Sequence, residues 1–372
     1  MIYLDNSATT IPEKCVVDEL LNASVNFCGN PSSTHFLGTQ AAKYLNESKS
    51  KVANAFGCKK EEIYFTPGGT YADNTAIFGT VEKLGKRGKR IVTSSLEHPA
   101  VEECMKRLES RGFEIVRLPC DENGHFSRAD AENAIDKSTI LVSVMAVNNE
   151  IGVINDIKML RKIINKSGSP ALLHTDAVQA FGKINIKTFD ADLISVSSHK
   201  IHGPKGIGAL YIKNGIKIHP YILGGGQEGG LVSGTEALAN IGAFAKACEL
   251  IGNIQQNLEY MTNLRDNFVN NLQKIPGVYI NSPDDALPYI VNFSVPGIPS
   301  EVMVNYMSER QICISAGSAC KKGHRSDVLS KIGLPPERID SAVRVSMSRF
   351  NTNSELEIFI ENLNSAIARF TK

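Results

Sequence analysis

Between Glu62 and Lys213 short apolar runs alternate with stretches of helical spacing, and few folds accept that alternation. Strand-type runs fall at 62–66, 90–95, 113–118, 139–146, 171–174, 193–196 and 208–212. Helical spacing occupies 41–56, 70–84, 99–111, 129–135 and 156–164. Apolar residues every second position suit strands, and every third or fourth suit helices. Repeated in this order, they argue for an α/β fold: a mainly parallel central sheet with helices on both faces. Ligands of such sheets sit beyond the C-terminal strand ends. The polar residues expected there are Thr70, His98, Asn149, Asp176, Gln179, Ser197, His199 and Lys200.

The pattern changes after Lys213. A glycine-rich segment, 221–235, precedes a long helical region expected from 236 to about 275, then short strands and helices, and a last helix over 354–370. A smaller α+β domain is expected there. The expected division is a large domain over 16–250 and a small one over 251–372, with residues 1–15 joining the small domain.

Other classes are disfavoured. The chain has 372 residues and a net charge of +1, so nothing global suggests nucleic acid or an anionic membrane as partner. Its start carries no basic region followed by an apolar one, and no apolar run approaches the length of a membrane span. The eight cysteines are scattered without a CxxC pair. A reduced, cytoplasmic protein is expected, without a disulfide framework or a zinc site.

Three stretches carry candidate chemistry. In the segment Asp190 to Lys213, Lys200 follows Ser197-Ser198-His199 where an apolar strand ends, before the turn Gly203-Pro204-Lys205-Gly206. Desolvation there lowers an amine's affinity for its proton and suits a Schiff-base nucleophile; a turn lysine in water is the plainer alternative. Pro67-Gly68-Gly69-Thr70 lies between a strand and a helix, where free N–H groups and the helix dipole suit a phosphate. The runs at 4–10 and 29–35 read as turns and caps, or as the lining of a small polar pocket. A lysine able to form an imine, an aspartate at a neighbouring strand end and a phosphate-type helix start are the parts of a pyridoxal phosphate site. His98 could stack on the ring and Gln179 could bond its hydroxyl.

The chain resembles the fold-type I pyridoxal phosphate enzymes of the class V aminotransferase family, and within it the cysteine desulfurases of the NifS/IscS group. The resemblance spans nearly the whole chain. It rests on YLDNSATT (3–10), NPSSTH (30–35), FTPGGT (65–70), EHPAV (97–101), NNEIGVI (148–154), HTDAVQAFGK (174–183), SSHKIHGPKGIGALY (197–211), GGGQE (224–228), SGT (233–235), SAGSAC (315–320) and VRVSMSRF (343–350).

The resemblance implies that Lys200 anchors the cofactor and moves the Cα proton. It also implies that Asp176 pairs with the pyridine nitrogen, His98 stacks on the ring and Gln179 meets the ring oxygen. Gly69, Thr70, Ser197 and His199 would hold the phosphate, with Thr235 reaching the phosphate of the other subunit of a homodimer. Asn149 and Arg344 would bind the substrate carboxylate. Cys320 would attack the sulfur of L-cysteine, leaving L-alanine and a persulfide passed to an acceptor protein for iron–sulfur cluster assembly or tRNA or cofactor thiolation. Its small and basic neighbours favour a thiolate. A selenocysteine lyase and a class V aminotransferase are the alternatives. The chain departs from the family pattern at Gly229 and Val232, where arginines are usual, at Tyr71, where glutamate is usual, and in a shorter stretch after Cys320. These departures suggest a different sulfur acceptor.

Overall fold

The computed structural model of the chain describes residues 1–316 and 325–370. The elements, in chain order, begin with β1 (Ile2–Tyr3), α1 (Lys14–Asn26), α2 (Phe36–Phe56), β2 (Ile63–Thr66) and α3 (Gly69–Leu84). Next come β3 (Arg90–Ser94), α4 (Pro99–Glu109), β4 (Glu114–Leu118), α5 (Arg128–Ala134), β5 (Thr139–Ser143), α6 (Ile157–Ser167) and β6 (Leu172–Asp176). β7 (Leu193–Ser197), β8 (Gly208–Ile212), α7 (Leu238–Glu249), α8 (Ile254–Gln273), β9 (Tyr279–Ile280) and β10 (Ile290–Ser294) follow. The described chain closes with α9 (Ser300–Ser308), β11 (Ile312–Cys313), β12 (Ser315–Ala316), α10 (Asp327–Lys331), α11 (Pro336–Asp340), β13 (Ala342–Ser346) and α12 (Asn353–Phe370).

The central sheet has the order β2-β8-β7-β6-β5-β3-β4. All its strands are parallel except β8, which pairs antiparallel with both β2 and β7. The connection from β7 to β8 is a short loop, and a parallel partner would need a longer crossover. β5 and β7 are buried along their whole length, as strands covered on both faces must be. Adjacent residues therefore serve opposite layers. Val92, Val142 and Leu173 join the large cluster that contains Phe56, Phe181 and Phe244. Ile91 and Leu141 face α3 and α4 through Ile77, Val101, Met105 and Leu108.

A second, antiparallel sheet has the order β12-β13-β10-β9. The N-terminal residues tie onto this part: β1 runs parallel to β11, and Asp5 bridges to Ser346. The helical region expected over 236–275 is two helices. α7 stops at Glu249, Gly252 takes a positive φ of 72°, and the Asn253 side chain caps α8 by accepting from Gln255 N and Gln256 N. Helical spacing on both sides of the break hid it, because a capping asparagine and a left-handed glycine are the only local marks of the stop. The short α10 and α11 and the two-residue strands β1 and β12 carry too little periodicity to be read from sequence.

Candidate active site

Five segments of the central sheet end at one place. β6 delivers Asp176, β7 delivers Ser197, and a single helical turn, Ser198–Lys200, carries the chain onward. α3 starts immediately after β2, the turn after β3 presents Glu97 and His98, and the turn after β5 presents Asn149 and Glu150. With Arg344 from β13 and Ser7 and Ala8 from the N-terminus, they line a cavity of about 470 Å³. Of the twelve residues expected in the site, ten line it: Gly69, Thr70, His98, Asn149, Asp176, Gln179, Ser197, His199, Lys200 and Arg344. Thr235 is exposed and lies outside the cavity. Cys320 lies outside the described residues.

Lys200 is half-buried, and its Nζ donates to the carbonyl oxygens of Ser7 and of Ala8. Its neighbour Asp176 accepts from Val178 N at 2.9 Å through Oδ1. Burial raises the Asp176 carboxyl above the usual range, while His98 and Lys200 pull it back down. His98 caps α4, its Nδ1 accepting from Ala100 N at 3.1 Å, and burial lowers its affinity for a proton. An Nδ1 that accepts leaves Nε2 as the protonated nitrogen of the neutral ring. His199 is lowered to about 4, mainly by burial, and its Nδ1 lies 3.1 Å from Thr9 Oγ1.

The first amides of α3 have no intrahelical acceptor, and Gly69 and Thr70 stand at that end. Gly69 has a steric reason. A Cβ there would lie 2.7 Å from Val178 Cγ2, so only glycine lets α3 start this close to the turn that follows Asp176.

Arg344 is buried on β13. Its guanidinium donates to Asn149 O at 2.9 Å and to Asp5 Oδ1 at 2.9 Å, while Nε has no partner among the described residues. Ser7 Oγ is also buried without a partner. The free helix start, the amine at Lys200 and the carboxyl at Asp176 fit a bound group that is anionic at one end and carries a basic ring nitrogen at the other. The residues present thus suit pyridoxal phosphate.

Four wall residues escape sequence reasoning. Asp73, one turn into α3, is buried beside Asp176, and its carboxyl is pushed well above the usual range by that burial and then by the Asp176 charge. Glu97 accepts from Met145 N at 2.9 Å, and burial pushes it up to about 8. Glu150 accepts from Ser326 Oγ and is pushed by burial to about 7. Ser7 bridges Lys200 and Gln179 through its carbonyl oxygen. Glu97 and Glu150 sit inside the motifs EHPAV and NNEIGVI, which was the available signal. Behind the wall, His174 is fully buried between Ser143 Oγ (2.8 Å) and Ser195 Oγ (3.0 Å), and burial lowers it to about 3. It is neutral there. Among the described residues no cluster of His, Cys, Asp and Glu could hold a metal ion.

Comparison with known proteins agrees with this geometry. Residues 2–359 match the family described as Aminotransferase class-V. A curated relative, cysteine desulfurase IscS of Clostridium botulinum (strain Hall), is 41% identical over 371 residues, covering 97% of this chain and 93% of its own. A solved NifS-like protein superposes with a TM-score of 0.93 at 34% identity, covering 99% of each chain. The structure of SspA in complex with cysteine superposes with a TM-score of 0.82 at 30% identity, covering 95% of this chain and all (100%) of its own. The chain belongs to the class V aminotransferase family, in its cysteine desulfurase group of the IscS and NifS type.

Proposed function

We propose that the chain is a pyridoxal phosphate-dependent cysteine desulfurase that converts L-cysteine to L-alanine and holds the sulfur as a persulfide on Cys320 for an acceptor protein. The observation that carries the reading is the convergence of ten family site residues, from separate stretches of sequence, on one cavity. Pyridoxal phosphate, when bound, supplies an electron sink for the pair left at the substrate Cα. Lys200 would hold it covalently and would then take and return the Cα proton. Asp176, on the floor of the cavity, would pair with the ring nitrogen and hold its proton. The start of α3, with Gly69, Thr70, Ser197 and His199, binds the phosphate. His98 covers one ring face. Arg344 and Asn149 bind the carboxylate of L-cysteine; the relative solved with cysteine supports a cysteine-sized substrate. The Cys320 thiolate attacks the substrate sulfur, the bond from that sulfur to Cβ breaks with its electron pair passing to the carbon side, Cβ takes up a proton, and alanine leaves.

The reading includes a homodimer in which Thr235 reaches the partner's phosphate site, and a division near residues 15 and 250 into a large and a small domain. It also includes a cytoplasmic location; among the described residues no helix is long and apolar enough to cross a membrane. The acceptor differs from the usual cluster scaffold because Gly229, Val232 and Tyr71 change the surface. Gly229 has a φ of 64°, where a side chain is strained, so the missing arginine is matched by the local backbone. Efficient sulfur transfer to a standard scaffold protein would sink that part of the reading.

The test is product analysis. Enzyme loaded with pyridoxal phosphate and given L-cysteine and a reductant should release alanine and sulfide one to one, and Cys320→Ala should lose both. A selenocysteine lyase would keep its activity toward selenocysteine without Cys320. An aminotransferase would form a keto acid and no alanine.

A further inference from the structure

Lys183 is a buried cation with no role so far. Its ammonium lies in the interior behind Lys200, beside a small cavity of about 20 Å³ lined also by Asn6, Thr10, His202, Tyr289 and Arg349. Among the described residues no carboxylate lines that cavity, although Glu13 pairs with Arg349 at its edge. The charged and titratable groups around the amine are Lys200, Arg344 with its partner Asp5, Arg349 with its partner Glu13, His199 and His202, with the Tyr289 ring centre 5.7 Å away. A buried amine among cations is costly, and burial followed by repulsion from Lys200 lowers it to about 7. What it does make is one hydrogen bond: Nζ donates to Gln179 Oε1 at 3.0 Å. On its other side the Gln179 amide donates from Nε2 to Ser7 O at 2.9 Å.

These two contacts decide the orientation of the amide by chemistry alone. A peptide carbonyl can only accept, so Nε2 belongs to Ser7, and Oε1 is left to Lys183, whose amine can donate in either protonation state. Rotating the amide by half a turn would set acceptor against acceptor at Ser7 and give up the bond that Lys183 donates. Gln179 lines the cavity of Lys200, and the N–H of Nε2 not given to Ser7 is the hydrogen-bonding capacity left over.

We propose that Lys183 is a positioning residue that locks Gln179 with its N–H edge toward the active-site cavity, so that Gln179 binds an oxygen there only by donating to it. Resting on the function proposed above, that oxygen is the ring oxygen of pyridoxal phosphate, held in its ionised form. An ionised oxygen accepts more strongly than a neutral hydroxyl, and the Lys183 charge behind the amide adds to the preference. Without Lys183 the amide can rotate and offer Oε1, which an ionised oxygen repels.

The experiment measures retention of pyridoxal phosphate by absorbance over a range of free cofactor, in wild type, Lys183→Met, Gln179→Leu and the double variant. Borohydride reduction followed by peptide mapping is run alongside. Methionine matches the lysine in length and removes a buried charge, so folding is expected to persist. Lys183→Met should weaken retention by about tenfold, as losing one hydrogen bond to a charged group does. Gln179→Leu should do the same, and the double variant should be no worse than either, because one residue acts through the other. Unchanged retention in Lys183→Met, or additive losses in the double variant, would overturn the inference. Should Lys183→Met fail to fold, Gln179→Glu decides: its carboxylate still accepts from Lys183 but offers no N–H, so retention should fall at least tenfold (about 1.4 kcal/mol), and wild-type retention would overturn the inference. Wild-type protein with no label on Lys200 overturns the functional reading and the inference together; labelled Lys200 with unaffected Lys183→Met overturns the inference alone.

Discussion

The two ends of the cavity are built differently. At the sheet end, Asp176, Ser197 and Lys200 sit on strands or on the turn that continues one, and each is placed by the β-ladder beneath it. At the other end, Arg344, Asn149 and Glu150 are placed by side chains that bridge distant parts of the chain. Arg344 is held by Asp5 and by Asn149 O, and Glu150 by Ser326, while the carbonyl of Glu150 accepts from Asn292 Nδ2. The first end is a rigid floor. The second is a junction of the central sheet, the smaller sheet and the N-terminal segment, held by a few charge-assisted contacts. Errors at the floor should abolish chemistry, and errors at the junction should change how substrate is held.

The largest expected effect tests the floor. Lys200→Ala should lower turnover of L-cysteine by at least about 10³-fold, with no borohydride-stable attachment of cofactor, since both anchor and proton carrier are gone. A loss confined to KM would move Lys200 out of the floor. At the junction, Arg344→Lys keeps the charge but removes the planar fork and leaves Asp5 poorly matched; kcat/KM should fall about 10²-fold, mostly through KM. Steady-state kinetics over a wide range of cysteine concentration separate the two parameters.

A smaller effect concerns Glu97, which accepts from Met145 N in the cavity wall. Its folded-state value, about 8, lies above its ordinary 4.5. The folded protein therefore binds the proton more tightly than the unfolded chain. The resulting stability is present in full below pH 4.5 and is lost as the pH rises toward about 8. Glu97→Gln should flatten the fall in Tm over that window; a Tm profile parallel to wild type would show that Glu97 is not the titrating group. The smallest effect belongs to Ser326, which caps α10 by accepting from Leu329 N at 3.1 Å and donates to Glu150. Ser326→Ala should cost about 1 kcal/mol in denaturant unfolding and raise KM modestly.

The same contrast governs what could be read in advance. The floor was legible because strand ends are marked locally: an apolar run stops, and His98, Asp176, Ser197 or Lys200 follows. Parallel topology then brings such ends together without further information. The junction was legible only in part. Arg344 and Asn149 were named through the family resemblance, but the contacts of Arg344 with Asp5 Oδ1 and Asn149 O are long-range and have no periodic signature. Asp73 looked like an ordinary helical residue, and its place beside Asp176 follows from how α3 crosses the sheet. Ser7 acts through its backbone oxygen, which no side-chain pattern encodes. The break between α7 and α8 was missed because an apolar pattern continues across it.

The central claim is that sulfur leaves L-cysteine in the Lys200 cavity and arrives on Cys320. The most direct measurement gives the loaded enzyme sulfur-labelled L-cysteine without reductant, blocks thiols and maps the labelled peptide by mass spectrometry. One labelled sulfur on Cys320 for each alanine released, absent in Lys200→Ala, is the predicted result. Label on another cysteine, or undiminished alanine release in Cys320→Ala, would contradict it.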